Sequence, residues 1–300
     1  GINMKHYIDL HMHSLYSDDG EHTPASLVDM CHEKGIQIMA ISDHNQVAAI
    51  AEGRKRAKEL GMIYISAIEI DCTFHDRNFH VVGYGINEQE PYFTQLNDDI
   101  YQQEVKLSEK KMELTRELGF DVTKEDLDQL SDNGVYTGEM FGEVLLGKEE
   151  YREHPLLKPY REGGDRSGNP YVNFYWDYYS QGKPCYTKVI YPSLAEAVDQ
   201  IHRCGGKAVL AHPGANLRGK YEVFDQMMEE VALDGVEAFS NYHDEVTVDY
   251  FYKKGQEYNI MVTCGSDFHG KTKPSIQLGE CHCPYDQEFI EEMLKAQGLI

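Results

Sequence analysis

In the stretch YIDLHMHSLYSDDG, residues 7–20, two histidines stand one residue apart at the end of an apolar run, with two aspartates close behind. On an extended strand, residues i and i+2 share a face, so His11 and His13 project together. Neutral imidazoles converging on one point make half of a metal site. An isolated His-x-His is as consistent with a polar turn, so the positions of the other ligand-type residues decide the matter.

Those residues recur at the ends of the apolar runs. Asp43 and His44 close the second run, in ISDHN; Glu69 lies in AIEID of the third, and His80 in FHVVGY of the fourth. His212 ends KAVLAHPG, Glu237 lies in GVEAFS, and Asp267 and His269 end IMVTCGSDFHG. In parallel α/β folds the C-terminal rim of the strands is where active sites are built, so this recurrence points to ligands. Imidazoles mixed with carboxylates, without cysteine, suit Zn, Mn or Fe. The set is larger than one ion needs, so two or three ions are expected to share it, with Glu69 as the bridging carboxylate. Such a cluster activates water at neutral pH and clamps phosphoryl oxygens, which predicts hydrolysis of a phosphate ester.

The elements that must position these residues alternate regularly. TPASLVDMCHEKG reads as a helix, with Thr23 as N-cap, Pro24 at N1 and Gly35 as stop. QVAAIAEGRKRAKELG reads as a second helix. MIYISAIEIDC is expected to be the third strand and NFHVVGYG the fourth, after a short turn. Further on, helices around SLAEAVDQIHRCGG, YEVFDQMMEEVA and VTVDYFYKKGQEY separate the last three strands. Strand–helix alternation of this kind predicts a parallel sheet, open or closed into a barrel. Residues 91–192 break the pattern and are expected to form an inserted, mainly helical subdomain, either a lid or a structural elaboration. The barrel domain is then residues 1–90 and 193–300. Within the insertion, the aromatic run YVNFYWDYYS, with Trp176, is either a subdomain core or a surface on which a base stacks.

Composition limits the partners. A 300-residue chain with 41% hydrophobic and 26% charged residues is ordinary for a soluble globular protein. No apolar run reaches the ~20 residues of a membrane span, and Met4 follows a short stretch, Gly1–Asn3, that reads as a cloning remnant rather than a signal peptide. Seven scattered cysteines read as reduced thiols, which places the chain in the cytoplasm. The net charge of −23 argues against an extended nucleic-acid surface but not against a small anionic substrate, because bound metal ions invert the local potential.

The ordered motifs HMHSLYSDDG, SDHN, AIEI, HVVGYG, AHPG and GSDFHG resemble those of the PHP (polymerase and histidinol phosphatase) family, over residues 6–90 and 193–280. The resemblance implies a metal-dependent phosphoesterase on a distorted seven-stranded (β/α) barrel. The insertion is similar to that of the branch acting on small nucleotides, including 3′,5′-bisphosphates. Position by position, the resemblance implies a first ion held by His11, His13, Glu69 and Asp267. Glu69 would bridge to a second ion at His80 and His212, and Asp18, His44 and His269 would hold a third. The family turn reads Ser-Asp-Gly, whereas Ser17 is followed here by Asp18, Asp19 and Gly20; this leaves either aspartate as the ligand, and Asp18 is preferred because it directly follows Ser17. Asp43 is expected to orient a neighbouring histidine.

The expected mechanism is in-line attack by a metal-bound hydroxide, with the third ion or His243 serving the leaving group. Arg218 and Lys273 are the expected phosphate binders, ahead of Arg77 and Lys271. A histidinol-phosphate or sugar-phosphate phosphatase, a DNA-end exonuclease and a non-catalytic metal-binding module are the competing readings.

Overall fold

The computed structural model describes residues 4–300; Gly1–Asn3, read above as a remnant, lie outside the described residues. The chain divides into two compact units, Gly1–Asn97 with Tyr191–Ile300, and Asp98–Ile190.

The first unit is a mixed α/β fold. Strands β1 (Ile8–Asp9), β2 (Ile38–Met39) and β3 (Ile63–Tyr64) form a parallel three-stranded sheet. Strands β4 (Ala67–Phe74), β5 (Arg77–Tyr84), β6 (Lys207–Leu210), β7 (Gly235–Ser240) and β8 (Met261–Gly265) form a five-stranded sheet in sequence order. The first helix, Pro24–Glu33, starts as expected, with the Thr23 side chain accepting from the Ser26 N–H. It buries Leu27, Val28 and Cys31 in a core with Met12, Met39 and Ile276. Helix Leu194–Arg203 buries Leu194, Ala197, Val198 and Ile201, an i, i+3, i+4, i+7 stripe. It packs close because Gly83 on β5 has no Cβ: one would stand 2.9 Å from Ile201 Cγ1.

Two expectations need correction. The run MIYISAIEIDC is not one strand but two, β3 and β4, which belong to different sheets. The sheet is also not parallel throughout: β4 and β5 form an antiparallel hairpin, and β5 pairs antiparallel with β6. The hairpin turn is made by His75 and Asp76, with φ of 46° and 63°. Two positive values in succession are what a two-residue turn matched to strand twist requires, and the usual glycine signal for it is missing. Among the described residues the strands number eight, in sheets of three and five. Backbone bonds still join the two sheets. Leu10 N–H donates to Cys264 O (3.1 Å), and beyond β2, Asn45 N–H donates to Glu69 O (2.8 Å).

The second unit is mainly helical, with helices Lys124–Asp128, Gly138–Leu146 and Pro170–Tyr178 and most of the long helix Pro91–Glu117. Thr123 and Asp126 form a reciprocal capping box. The aromatic run is itself a helix: Phe174 and Tyr179 are buried with Phe120, Phe141 and Leu145, while Trp176 stays 49% exposed. No helix among the described residues is long and apolar enough to cross a membrane.

Candidate metal centre

Beyond β1 and β8 the backbone continues side by side: Asp267 N–H donates to His11 O (2.8 Å) and His13 N–H to Phe268 O (2.9 Å). That pairing brings His11, His13 and Asp267 to one place. Glu69 arrives from β4, where its N–H donates to Asp43 O (2.9 Å), which sets it beside His44. In the hairpin register Asp71 lies directly opposite His80, so Glu69, Asp71 and His80 share one face. Asp267 and His212 both have positive φ, 62° and 23°, conformations that non-glycine residues keep only where the surroundings enforce them.

Three overlapping groups result, each with ligand atoms within 4.8 Å of one another: His11, His13, Glu69 and Asp267; His44, Glu69 and His80; and His13, His44 and His269. In the first, His11 Nε2 lies 3.2 Å and His13 Nε2 2.8 Å from Asp267 Oδ1, and both are 3.1 Å from Glu69 oxygens. His80 Nδ1 and His212 Nε2 reach Glu69 Oε2 at 3.2 and 3.3 Å. In the third, Asp19 Oδ2 stands 3.2 Å from His269 Nε2, while Asp18 is exposed. The turn Ser14–Ser17, closed by a bond from Ser17 N–H to Ser14 O, is followed by another ending in Gly20 N–H to Ser17 O.

The donors fit divalent metal ions. His11 Nε2, His13 Nε2, His44 Nδ1, His269 Nε2, Glu69 Oε1, Asp267 Oδ1 and Asp19 Oδ1 are buried and make no hydrogen bond, although leaving such groups unpaired is costly. Their mutual distances match the ~3.0–3.4 Å between neighbouring ligands of an ion bound at about 2.1 Å. Electrostatics agree. Burial disfavours a charged His11, but Glu69, Glu237 and Asp267 outweigh it and hold its pKa well above the usual value. His44 is likewise opposed by burial, yet Glu69 and Asp71 raise it to about 10. Burial would raise Asp267, and His11 and Lys273 hold it well below the normal range.

A second ring of residues orients the donors. His11 Nδ1 bonds Glu237 Oε2 (2.8 Å), and His212 Nδ1 bonds Asn216 Oδ1 (2.8 Å). His80 Nε2 lies 2.8 Å from Asp71 Oδ1. Asp43 reaches its histidine through an intermediary: Ser17 Oγ donates to Asp43 Oδ1 (3.0 Å) and sits 3.1 Å from His13 Nδ1. From the sequence, Glu237 counted among the ligand-type residues at the strand ends but was placed at no ion, and Asp71 and Tyr242 had no role. For Asp71 the strand alternation that marked Glu69 was the available signal; Tyr242 carried none.

Lys273 stands at the first group, its Nζ 3.4 Å from Asp267 Oδ2 and donating to Tyr242 Oη (2.8 Å), which in turn donates to the same Asp267 oxygen (2.7 Å). Arg218 is exposed at the left-handed end of the one-turn helix Pro213–Leu217. Arg77 donates to the Asn216 and Leu217 carbonyls that close that helix. His243 is corrected from catalytic to structural. It is buried, its Nδ1 bonds Ala238 O (2.9 Å), and its Nε2 accepts from Gly214 N–H (2.9 Å), so neither nitrogen is available to a substrate. Burial lowers its pKa as well.

Residues 9–157 match the PHP domain. A 5′-3′ exoribonuclease of Haemophilus influenzae is 28% identical over 87% of this chain and 89% of its own length. A 3′,5′-nucleoside bisphosphate phosphatase of Chromobacterium violaceum is 26% identical over 91% of this chain and 90% of its own. A structure from Bifidobacterium adolescentis, described as a metal-dependent phosphoesterase, superposes with a TM-score of 0.74 at 22% identity over 98% of this chain and 97% of its own.

Proposed function

The chain being a PHP-domain metal-dependent phosphoesterase, we propose that it releases phosphate from a small nucleotide, such as a 3′,5′-bisphosphate, at a site of two or three divalent ions. The observation that carries the reading is the set of buried imidazole and carboxylate atoms that face one another without hydrogen bonds. His11, His13, Glu69 and Asp267 would hold one ion, Glu69 with His80 and His212 a second, and His44, His269 and Asp19 a third. Ions bound there would supply Lewis-acid activation of water and neutralise charge on the phosphoryl oxygens. Lys273 would hold a non-bridging oxygen, its ammonium kept in place by the Tyr242 hydroxyl. Burial and the Asp267 carboxylate push the Tyr242 pKa up, so the hydroxyl remains a donor.

The net charge of −23 favours a small substrate over a long polyanion. The Haemophilus relative supports a second reading, stepwise cleavage of RNA from its 5′ end. Phosphate and mononucleotide release by manganese-loaded protein separates the two. The panel holds adenosine 3′,5′-bisphosphate, AMP, histidinol phosphate and a 5′-phosphorylated oligoribonucleotide, each with a chelated control. Preference for the bisphosphate, lost with chelator, supports the proposal. Mononucleotides from the oligomer with little turnover of the bisphosphate support the second reading, and turnover of histidinol phosphate alone discards both.

A further inference from the structure

Glu237 belongs to none of the three donor groups, yet it is buried at 1% exposure in the floor of the site. Its two oxygens serve two different ligand histidines. Oε2 accepts from His11 Nδ1 (2.8 Å) and Oε1 accepts from the backbone N–H of His212 (2.9 Å). An ionised carboxylate only accepts, so the proton of a neutral His11 sits on Nδ1 and the lone pair on Nε2. Nε2 is the atom that faces Glu69 and Asp267. The second bond acts on backbone rather than on a ring. His212 has φ 23° and ψ 60°, outside the common wells, and the bond to its N–H ties this conformation to β7 while Nε2 points at Glu69.

The local chain is shaped to admit the carboxylate. The register of β7 against β8 shifts between Glu237 and Phe239. On β8, Thr263 pairs with Glu237, and two residues on is Gly265, where a Cβ would lie 2.7 Å from Glu237 Oε2 and 2.2 Å from His11 Cβ. Any side chain there would drive the carboxylate and the imidazole apart.

We infer that Glu237 is a positioning residue that aims the Nε2 atoms of His11 and His212 at one shared oxygen, Glu69 Oε2, where the first and second ion groups meet. Loading of one ion then strengthens binding of the other. A metal on His11 Nε2 polarises the Nδ1–H bond and tightens the grip on Glu237, and the same carboxylate sets the backbone that presents His212. By linkage the effect is reciprocal. The inference rests on the reading of these groups as metal ligands.

The test is Glu237→Gln, which keeps size and shape but leaves one acceptor oxygen. Either His11 Nδ1–H or His212 N–H then meets an amide N–H. Manganese titrations by calorimetry, with ion counts by native mass spectrometry, should show about 10- to 100-fold weaker binding of the tightest ion. They should also show loss of cooperativity between ions, with an unchanged far-ultraviolet circular dichroism spectrum. In ¹⁵N spectra of the zinc-loaded protein, the Nδ1–H signal of His11 should be displaced or lost. Glu237→Asp retains two acceptor oxygens at shorter reach, should fall between wild type and Glu237→Gln, and serves alone if Glu237→Gln does not fold. Folded variants that bind the same number of ions as tightly and as cooperatively as wild type overturn the inference and leave the phosphoesterase reading intact. A wild-type protein that binds no divalent ion overturns both.

Discussion

Removing the metal should destabilise the protein by an amount that grows with pH. In the metal-free chain the carboxylates keep His11 and His44 protonated, His44 up to about 10, despite burial. A histidine of the unfolded chain loses its proton near the ordinary value of about 6.5. The stabilisation from these two raised groups is therefore complete below about pH 6.5 and is lost as pH rises through their folded values. Between pH 7 and 9 the folded metal-free state keeps on His44 a proton that the unfolded state has lost, and the raised His11, His13 and His80 act in the same direction. For His44 alone, linkage gives a loss of about 1.4 kcal/mol per pH unit. At ~2–4 °C per kcal/mol, that is on the order of 3–6 °C in Tm per pH unit. In the loaded protein the ions take the place of those protons, because ligating imidazoles must be neutral, so its Tm should be nearly flat over the same range. Scanning fluorimetry of manganese-loaded and chelated protein at pH 7, 8 and 9 measures the gap. A gap that stays constant or narrows as pH rises refutes the reasoning.

Asp267→Asn should reduce metal content by at least one ion and lower phosphate release by ~100-fold or more; elemental analysis with a turnover assay checks both, and wild-type values would exclude Asp267 as a ligand. Asp19→Asn should weaken the most loosely held ion by roughly tenfold, and by more than Asp18→Asn does; paired titrations distinguish them. His243→Ala removes the acceptor for Gly214 N–H and should lower stability by about 1–3 kcal/mol. Its pH–rate profile should keep the wild-type shape, and loss of one limb would restore His243 as a proton donor.

The ends of the strands were the legible part of this sequence. A His-x-His at a strand terminus and carboxylates at later termini converge for reasons of period and topology alone, so the pattern survives without coordinates. The choice between Asp18 and Asp19 was not legible, because tight turns between Ser14 and Gly20 set side-chain direction and have no repeating period. The short turn before NFHVVGYG was legible, but the tight antiparallel hairpin at His75–Asp76 was not, because its positive φ values fall on residues other than glycine. The helix Pro170–Tyr178 was hidden because its aromatic residues cover most of its surface and blur the helical stripe. The supporting ring is hardest of all. Glu237 was legible as a carboxylate in a strand of the sheet, but it meets His11 only through the pairing of distant strands, so its part as a support rather than a ligand was not.

The centre also combines contacts of very different reach along the chain. Glu69 and His80 are 11 residues apart across a tight turn, and a hairpin of this kind forms in ~1–10 μs. The buried bond from Ser266 Oγ to Asp9 Oδ2, which fixes the two strand ends carrying His11 and Asp267, spans 257 residues. Closing so long a loop carries an entropic cost that only the near-complete structure offsets. The hairpin half of the centre is thus expected early in folding and the His11–Asp267 half late. Acquisition of a full complement of ions would then report completion of the fold, and a chain stalled before residue 267 would offer only the weaker half of the cluster.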